Sequence, residues 1–370
     1  MAEQVETLRS GQPDRINEQI TLAELLTEFE DARLSGLSYA SKVGYGNTTK
    51  QLLEYFGRAM RIADFQQRHA ESFLASRKRV DGREGDLAGW SKARHLIHCR
   101  AIFQSAVEWE YLEKYPFRIG KYSGSTALRV KPKSRGWHHL TPGEFQRILS
   151  QVISVQHRAA LWLMYGCGLR AGEAYNLTTA TVDLAKRRIH VANRAPSADI
   201  PPFVVKADGQ SSESKERRVP IPEAAINDLS EAMRSAFRAG GFLVLSPERF
   251  KRVQEHWRQC RAKAGWAGHK WRPWQNRDMM NNFLRDTKGC LRRAGVELRG
   301  PFNLHTFRKS FAQNHANAGT PPSTLAKLLG HSNTRVTLQF YSQVTDSNER
   351  AAAEVMNRWF EEPALRQASV

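Results

Sequence analysis

The chain is predicted to be mainly helical with a small antiparallel sheet, arranged as a helical domain followed by an α+β domain. Three observations predict this. Apolar residues recur at helical spacing behind recognisable caps through most of the sequence. The few alternating or β-branched runs, KRRIHVAN, PPFVVK and RRVPI, all fall between residues 186 and 221. A basic stretch at residues 120–136, GKYSGSTALRVKPKSRG, carries Gly, Ser and Pro with no apolar period and reads as a linker between the halves. The expected organisation is a disordered arm over 1–19, a helical domain over 20–119, the linker over 120–136, a second domain over 137–349 and a tail helix over 350–370.

Composition narrows the partner before any motif is considered. A chain of 370 residues that is 41% hydrophobic, without any run approaching twenty apolar residues, reads as soluble and not membrane-spanning. Its formal charge of +19 and pI near 10.1 exceed what solubility requires and favour a polyanion, with nucleic acid ahead of an anionic membrane surface. Cys99, Cys167, Cys260 and Cys290 form no C-x-x-C pair, and MAEQVETLRS lacks a charged-then-apolar signal pattern, so a reducing cytoplasm is expected.

In order along the chain, ITLAELLTEFEDAR opens with Thr21 as N-cap and Glu24 as its capping-box partner, with Leu22, Leu25, Leu26 and Phe29 on one face. Two shorter helices are expected near 42–57 and 67–78. The clearest helix is WSKARHLIHCRAIFQSAVEWEYL, where Ser91 can cap and Ala93, Leu96, Ile97, Ile102, Phe103, Ala106 and Val107 recur at helical spacing. Its other face carries Lys92, Arg94, His98 and Arg100, and the linker adds Lys131, Lys133 and Arg135; such charges either face solvent or track a phosphate backbone. The second domain starts with Thr141 as cap, Pro142 at N1 and Glu144 closing the box. An apolar helix then ends at Gly166 and Gly168, placing Arg170 and Glu173 at the start of the next one. Between 246 and 300, Trp257, Trp266, Trp271 and Trp274 interleave with Arg and Lys. Packing of a helical insert explains them better than stacking on bases, and His256, Cys260 and His269 lack a fourth partner at a zinc spacing.

The chemistry concentrates in residues 302–344. His305 and Arg308 lie three apart and share a helix face, backed by Leu304, Phe307 and Phe311. Pro321 and Pro322 open the next helix, Gly330 ends it, His331 follows, and Tyr341 comes ten residues later. Any one such residue is usually structural. Together they suit phosphate chemistry: guanidinium grips non-bridging oxygens, imidazole moves a proton near neutral pH, and a phenol can form a covalent intermediate.

This combination resembles the tyrosine recombinase (phage integrase) family. The matching strings are His305-Thr306-Phe307-Arg308, Leu329-Gly330-His331 and Thr337-Leu338-Gln339-Phe340-Tyr341, while GCGLRAGEAYNL resembles the family's first box, with Arg170 as its arginine and Glu173 as its supporting acid. The family's usual His-to-Tyr spacing is one residue shorter. That puts Phe340 in register, and Tyr341 is the phenol available there. The resemblance implies a helical core-binding domain that clamps DNA, a catalytic domain, and cleavage and rejoining of double-stranded DNA through a 3′-phosphotyrosyl link, without metal, nucleotide or other cofactor. In that scheme Tyr341 is the nucleophile, Arg170 and Arg308 hold the phosphate, His305 and His331 assist, and a hairpin lysine protonates the leaving 5′ oxygen. The customary lysine register falls on Ser212. Lys206 lies upstream and Lys215 downstream; Lys215 is preferred as nearer the turn, and Lys206 stays open. The resemblance further implies a homotetramer on paired sites, accessory DNA-bending or directionality factors, and a role in DNA integration, excision of a mobile genetic element or chromosome resolution. A type IB topoisomerase and a DNA-binding protein that has lost catalysis are the rival readings.

Overall fold

Capping chemistry sets where the helices begin. In the computed structural model, which describes residues 19–37, 39–76, 87, 89–117, 128, 136–205, 216–262, 277–341 and 354, the Thr21 side chain accepts from the Glu24 N–H, and Glu24 accepts from the Thr21 N–H at 2.8 Å. Satisfying these otherwise orphaned donors starts α1 (Leu22–Leu34). The chain divides into two compact units after Ser134.

The first unit continues with α2 (Tyr39–Phe56), α3 (Gln67–Ala75) and α4 (Gly89–Glu108). Leu22, Leu25, Leu26 and Phe29 of α1 meet Leu52, Phe73 and Leu74, and the stripe Leu96, Cys99, Ile102, Phe103 and Ala106 of α4. Three details of α4 differ from the sequence reading. It begins at Gly89, so Ser91 lies inside its first turn and does not cap it. Ile97 is 61% exposed, because the buried stripe runs through 96, 99 and 103 and leaves 97 outside it. His98, expected on the basic face, is buried: the Thr48 hydroxyl lies 2.8 Å from its Nδ1 and 2.9 Å from Nδ1 of His95, and the Tyr45 ring stacks on it with centroids 4.1 Å apart. Burial, helped by the neighbouring His95 and Arg94 charges, holds His98 down to about 4, so it is neutral at physiological pH. Arg94 is exposed, and Lys92 and Arg100 are half-buried.

In the second unit, the Thr141–Glu144 box starts α5 (Pro142–Ser150). Then come α6 (Val155–Tyr165), α7 (Ala171–Asn176), the strands β1 (Val182–Asp183), β2 (Arg188–Val191) and β3 (Arg217–Pro220), and α8 (Ile226–Ala236), α9 (Pro247–Ala262), α10 (Arg277–Arg293), α11 (Leu304–Asn317), α12 (Pro322–Leu329) and α13 (Arg335–Leu338). Every residue from Ala159 to Tyr165 is buried, so α6 is a central helix apolar all round, and α11 packs on it. The sheet is antiparallel in the order β1-β2-β3, with Val182 opposite Ile189 and Ile189 opposite Val219, all buried. Val182–Asp183 escapes the sequence reading because two residues are too short for a period. PPFVVK is not a ladder strand over its described residues, 201–205. Pro201 and Pro202 lack N–H donors, and a single bridge pairs Phe203 with Arg194, whose guanidinium donates to the Pro201 carbonyl at 3.1 Å and to Asn176 Oδ1 at 2.7 Å. Trp257 is fully buried and donates to the Ser197 carbonyl at 3.0 Å, so it packs the α9 segment; Trp266, Trp271, Trp274 and His269 lie outside the described residues. No helix among the described residues is long and apolar enough to cross a membrane.

Candidate active site

Two glycines place the site. Gly168 follows the end of α6 with φ +64°, and a Cβ there would stand 2.6 Å from the Phe311 ring, so this turn accepts only glycine. The turn delivers Arg170 to the N-cap of α7, where its N–H donates to Glu173 at 2.9 Å and its guanidinium donates to the same carboxylate at 3.0 Å. Gly330 ends α12 with φ +65°, and a Cβ there would press on the Arg217 guanidinium at 3.0 Å. His331 follows directly.

Glu173, 2% exposed, is the hub. Arg217 donates to both its oxygens, at 3.1 and 2.6 Å, and Arg308 stands 3.9 Å away. With the two Arg170 bonds, the four lone-pair positions of the carboxylate are filled. Arg217 also donates from Nε to the Leu328 carbonyl at 2.8 Å. Arg308, 3% exposed, donates from Nη1 to the Gly168 carbonyl at 2.7 Å and from Nη2 to the Leu329 carbonyl, and the same Nη2 lies 3.2 Å from His331 Nε2. Thr337, fully buried, meets His331 Nδ1 at 2.9 Å. Three permanently charged guanidiniums therefore share one carboxylate. The pocket holds two positive charges beyond what its acid balances, which suits a phosphodiester.

Burial alone would raise the Glu173 pKa, but the Arg217 hydrogen bonds and charge, then the Arg308 charge, overcome it and hold the carboxyl down at about 2 against an ordinary 4.5. A folded-state value below the unfolded one contributes stability that is complete above pH 4.5 and lost as pH falls towards 2. A shift of this size corresponds to about 3 kcal/mol. Glu173→Gln is expected to lower stability by about that amount at pH 7 and to flatten its fall between pH 5 and 3. Denaturant titrations across that range check this, and an unchanged acid limb in the variant would refute the linkage.

Tyr341 stands apart from this pocket. Its ring packs in a cluster with Phe311, Leu325 and Phe340, and its hydroxyl donates to the Thr320 carbonyl beyond the end of α11. Partial burial raises its pKa above the ordinary phenol value. Arg308 sits nine residues before the last residue of α11, roughly 13 Å along the axis at the usual helical rise. Phe340, the residue at the family's usual spacing, is buried in the core of the cluster. His305 lies exposed in the first turn of α11, where the Asn303 side chain accepts from its backbone N–H. The structure thus brings together Arg170, Glu173, Arg308 and His331, and not the Tyr341 hydroxyl. Lys206, Lys215, Lys131, Lys133 and Arg135 lie outside the described residues. Tyr175 in the first box and Tyr165 just before it are buried and pushed up, Tyr165 to about 12.

Arg217 and Thr337 are the site residues that sequence reasoning missed. The signal for Arg217 was its phase: β3 alternates buried and exposed, so Arg217 points inward with Val219 while Arg218 points out.

Comparison with known proteins bears on these residues together. The family model described as "Phage integrase family" matches residues 138–348, more than half of the chain. A tyrosine recombinase XerC-like protein of Caldanaerobacter subterraneus subsp. tengcongensis is 24% identical over 274 residues, 70% of this chain, and the tyrosine recombinase XerC of Agrobacterium fabrum is 32% identical over 216 residues, 54% of this chain. The chain spans 64% and 62% of the lengths of these two relatives. Among solved structures, a Tn1549 transposon integrase in complex with a circular intermediate DNA shares the fold, with a TM-score of 0.64 at 20% identity over 91% of this chain and 99% of that one.

Proposed function

The chain belongs to the phage integrase family of tyrosine recombinases, and from that premise we propose that it is a site-specific recombinase that cleaves and rejoins double-stranded DNA through a 3′-phosphotyrosyl intermediate. The observation that carries the reading is the pocket around Glu173, where Arg170, Arg217 and Arg308 outnumber the carboxylate three to one and His331 stands beside Arg308. Arg217 is committed to Glu173 and a backbone carbonyl. Arg170 and Arg308 are the guanidiniums assigned to the non-bridging oxygens, where they stabilise the charge that builds in the transition state. The Tyr341 oxygen forms the new bond to phosphorus as the bond to the 5′ oxygen breaks. The departing oxygen takes a proton from a lysine, and the ester bond is kept for rejoining. His305 lies at the rim, suited to contact the substrate strand. Strand exchange on paired sites calls for a homotetramer, and a cytoplasmic location fits a DNA substrate.

The test is a nicked suicide substrate, from which the cleaved 5′ fragment diffuses away. The expected result is a covalent protein–DNA adduct that survives denaturation, with the protein on a 3′ phosphate. Specific binding without any adduct would overturn the enzymatic reading in favour of a DNA-binding protein.

The general acid has its own test, because a proton donor matters only as far as the leaving group needs it. Replacing the bridging 5′ oxygen with sulfur, a better leaving group, is expected to rescue Lys215→Ala. Lys206→Ala is expected to show little defect on the ordinary phosphate. The reverse pattern would assign the role to Lys206.

A further inference from the structure

Thr337 belongs to the family-like string ending at Tyr341, yet the mechanism above gives it no task. Its side chain is fully buried on the short helix α13, 2.9 Å from Nδ1 of His331, while the other ring nitrogen, Nε2, lies 3.2 Å from a terminal nitrogen of Arg308. A guanidinium only donates. The atom facing it must therefore offer a lone pair, which fixes Nε2 as the bare nitrogen and puts the single imidazole proton on Nδ1. A hydroxyl oxygen is the acceptor that this proton needs, and Thr337 supplies it. In water a neutral histidine prefers the opposite tautomer, so the partner on Nδ1 decides the form.

We propose that Thr337 is a positioning residue that holds His331 in the Nδ1–H tautomer and so presents a bare Nε2 to Arg308. The consequence for the reaction rests on the recombinase reading above. The Nε2 lone pair accepts from Arg308, so His331 acts by orienting that guanidinium. With both ring nitrogens held in this way, the imidazole fixes the Arg308 terminal nitrogen in place for the phosphate. The same residue opens the turn that leads to Tyr341. The Thr337 carbonyl accepts from the Phe340 N–H at 3.0 Å, and the next carbonyl, of Leu338, accepts from the Tyr341 N–H at 2.9 Å.

The experiment combines nitrogen NMR of the histidine rings in the full chain with single-turnover cleavage of the suicide substrate, using Thr337→Val, which keeps the shape and removes the acceptor, and Thr337→Ser, which restores it. In the unaltered chain the His331 signal, assigned by its loss in His331→Gln, is expected to show protonated Nδ1 and bare Nε2. In Thr337→Val it shifts towards the Nε2–H form, and cleavage slows by roughly 10- to 100-fold, the scale of losing the orienting partner of a functional histidine. DNA affinity stays the same, and Thr337→Ser returns both readouts. An Nε2–H signal in the unaltered chain overturns the proposal whatever the variants do, as does a Thr337→Val chain that keeps tautomer and rate. The NMR arm needs no activity, so absence of an adduct from the unaltered chain would count against the recombinase reading and leave the tautomer assignment standing.

Discussion

Tyr341→Phe is expected to bind its DNA site with unchanged affinity and to form no covalent adduct, even with long incubation on a suicide substrate. The substitution removes one oxygen. The ring keeps its place with Phe311 and Phe340, and the lost bond to the Thr320 carbonyl changes stability by about 1 kcal/mol. Folding and binding are therefore expected to be preserved while the atom assigned to attack phosphorus is gone. An adduct from this variant would require a different nucleophile. Tyr165 and Tyr175 are poor candidates, since both are buried and desolvation disfavours their phenolates.

Arg308→Ala is expected to lower the cleavage rate by about a thousand-fold or more, the scale of removing a donor aimed at developing transition-state charge. It also leaves the Gly168 and Leu329 carbonyls without their donor, so a fall in melting temperature accompanies the catalytic loss. Arg170→Ala should match the catalytic loss with a smaller structural penalty, since the Arg170 side chain is 17% exposed against 3% for Arg308. Lys92→Ala, in the first unit, should instead weaken binding with little change in the rate of bound complex, and should reduce the salt dependence of affinity by about one phosphate contact. Single-turnover rates at saturating protein and a salt series of binding constants separate the two classes. Equal chemical defects in all three variants would sink the assignment of roles.

Much of this architecture was legible because it is local. The Thr21–Glu24 and Thr141–Glu144 boxes, the glycine ends of α6 and α12, and the apolar faces of α1 and α4 are each written within a few residues of where they act. What was not legible depends on distant partners. Whether Ile97 or His98 flanks the buried stripe of α4 is decided by Thr48 and Tyr45 on another helix. PPFVVK has strand composition, but two prolines and the Arg194 side chain replace the ladder. Arg217 joins the site only because β3 packs against α12 and lets its side chain reach Glu173, and no motif of contiguous residues announces a guanidinium shared across three segments. The position of Tyr341 is likewise a matter of conformation: the string that contains it gives its identity, while the Thr320 carbonyl decides where its oxygen rests.

The charge imbalance around Glu173 also governs how the protein responds to its buffer. Inorganic phosphate and sulfate have the oxygen geometry that Arg170 and Arg308 would grip on DNA, and a ligand that binds only the folded chain stabilises it in proportion to the logarithm of its concentration. On the recombinase reading the same ions would take the place of the scissile group. One salt is therefore expected to raise thermal stability while it inhibits the proposed cleavage, beyond the screening that sodium chloride produces at equal ionic strength. Conditions chosen for the longest shelf life of this protein are then among the worst in which to measure what it does.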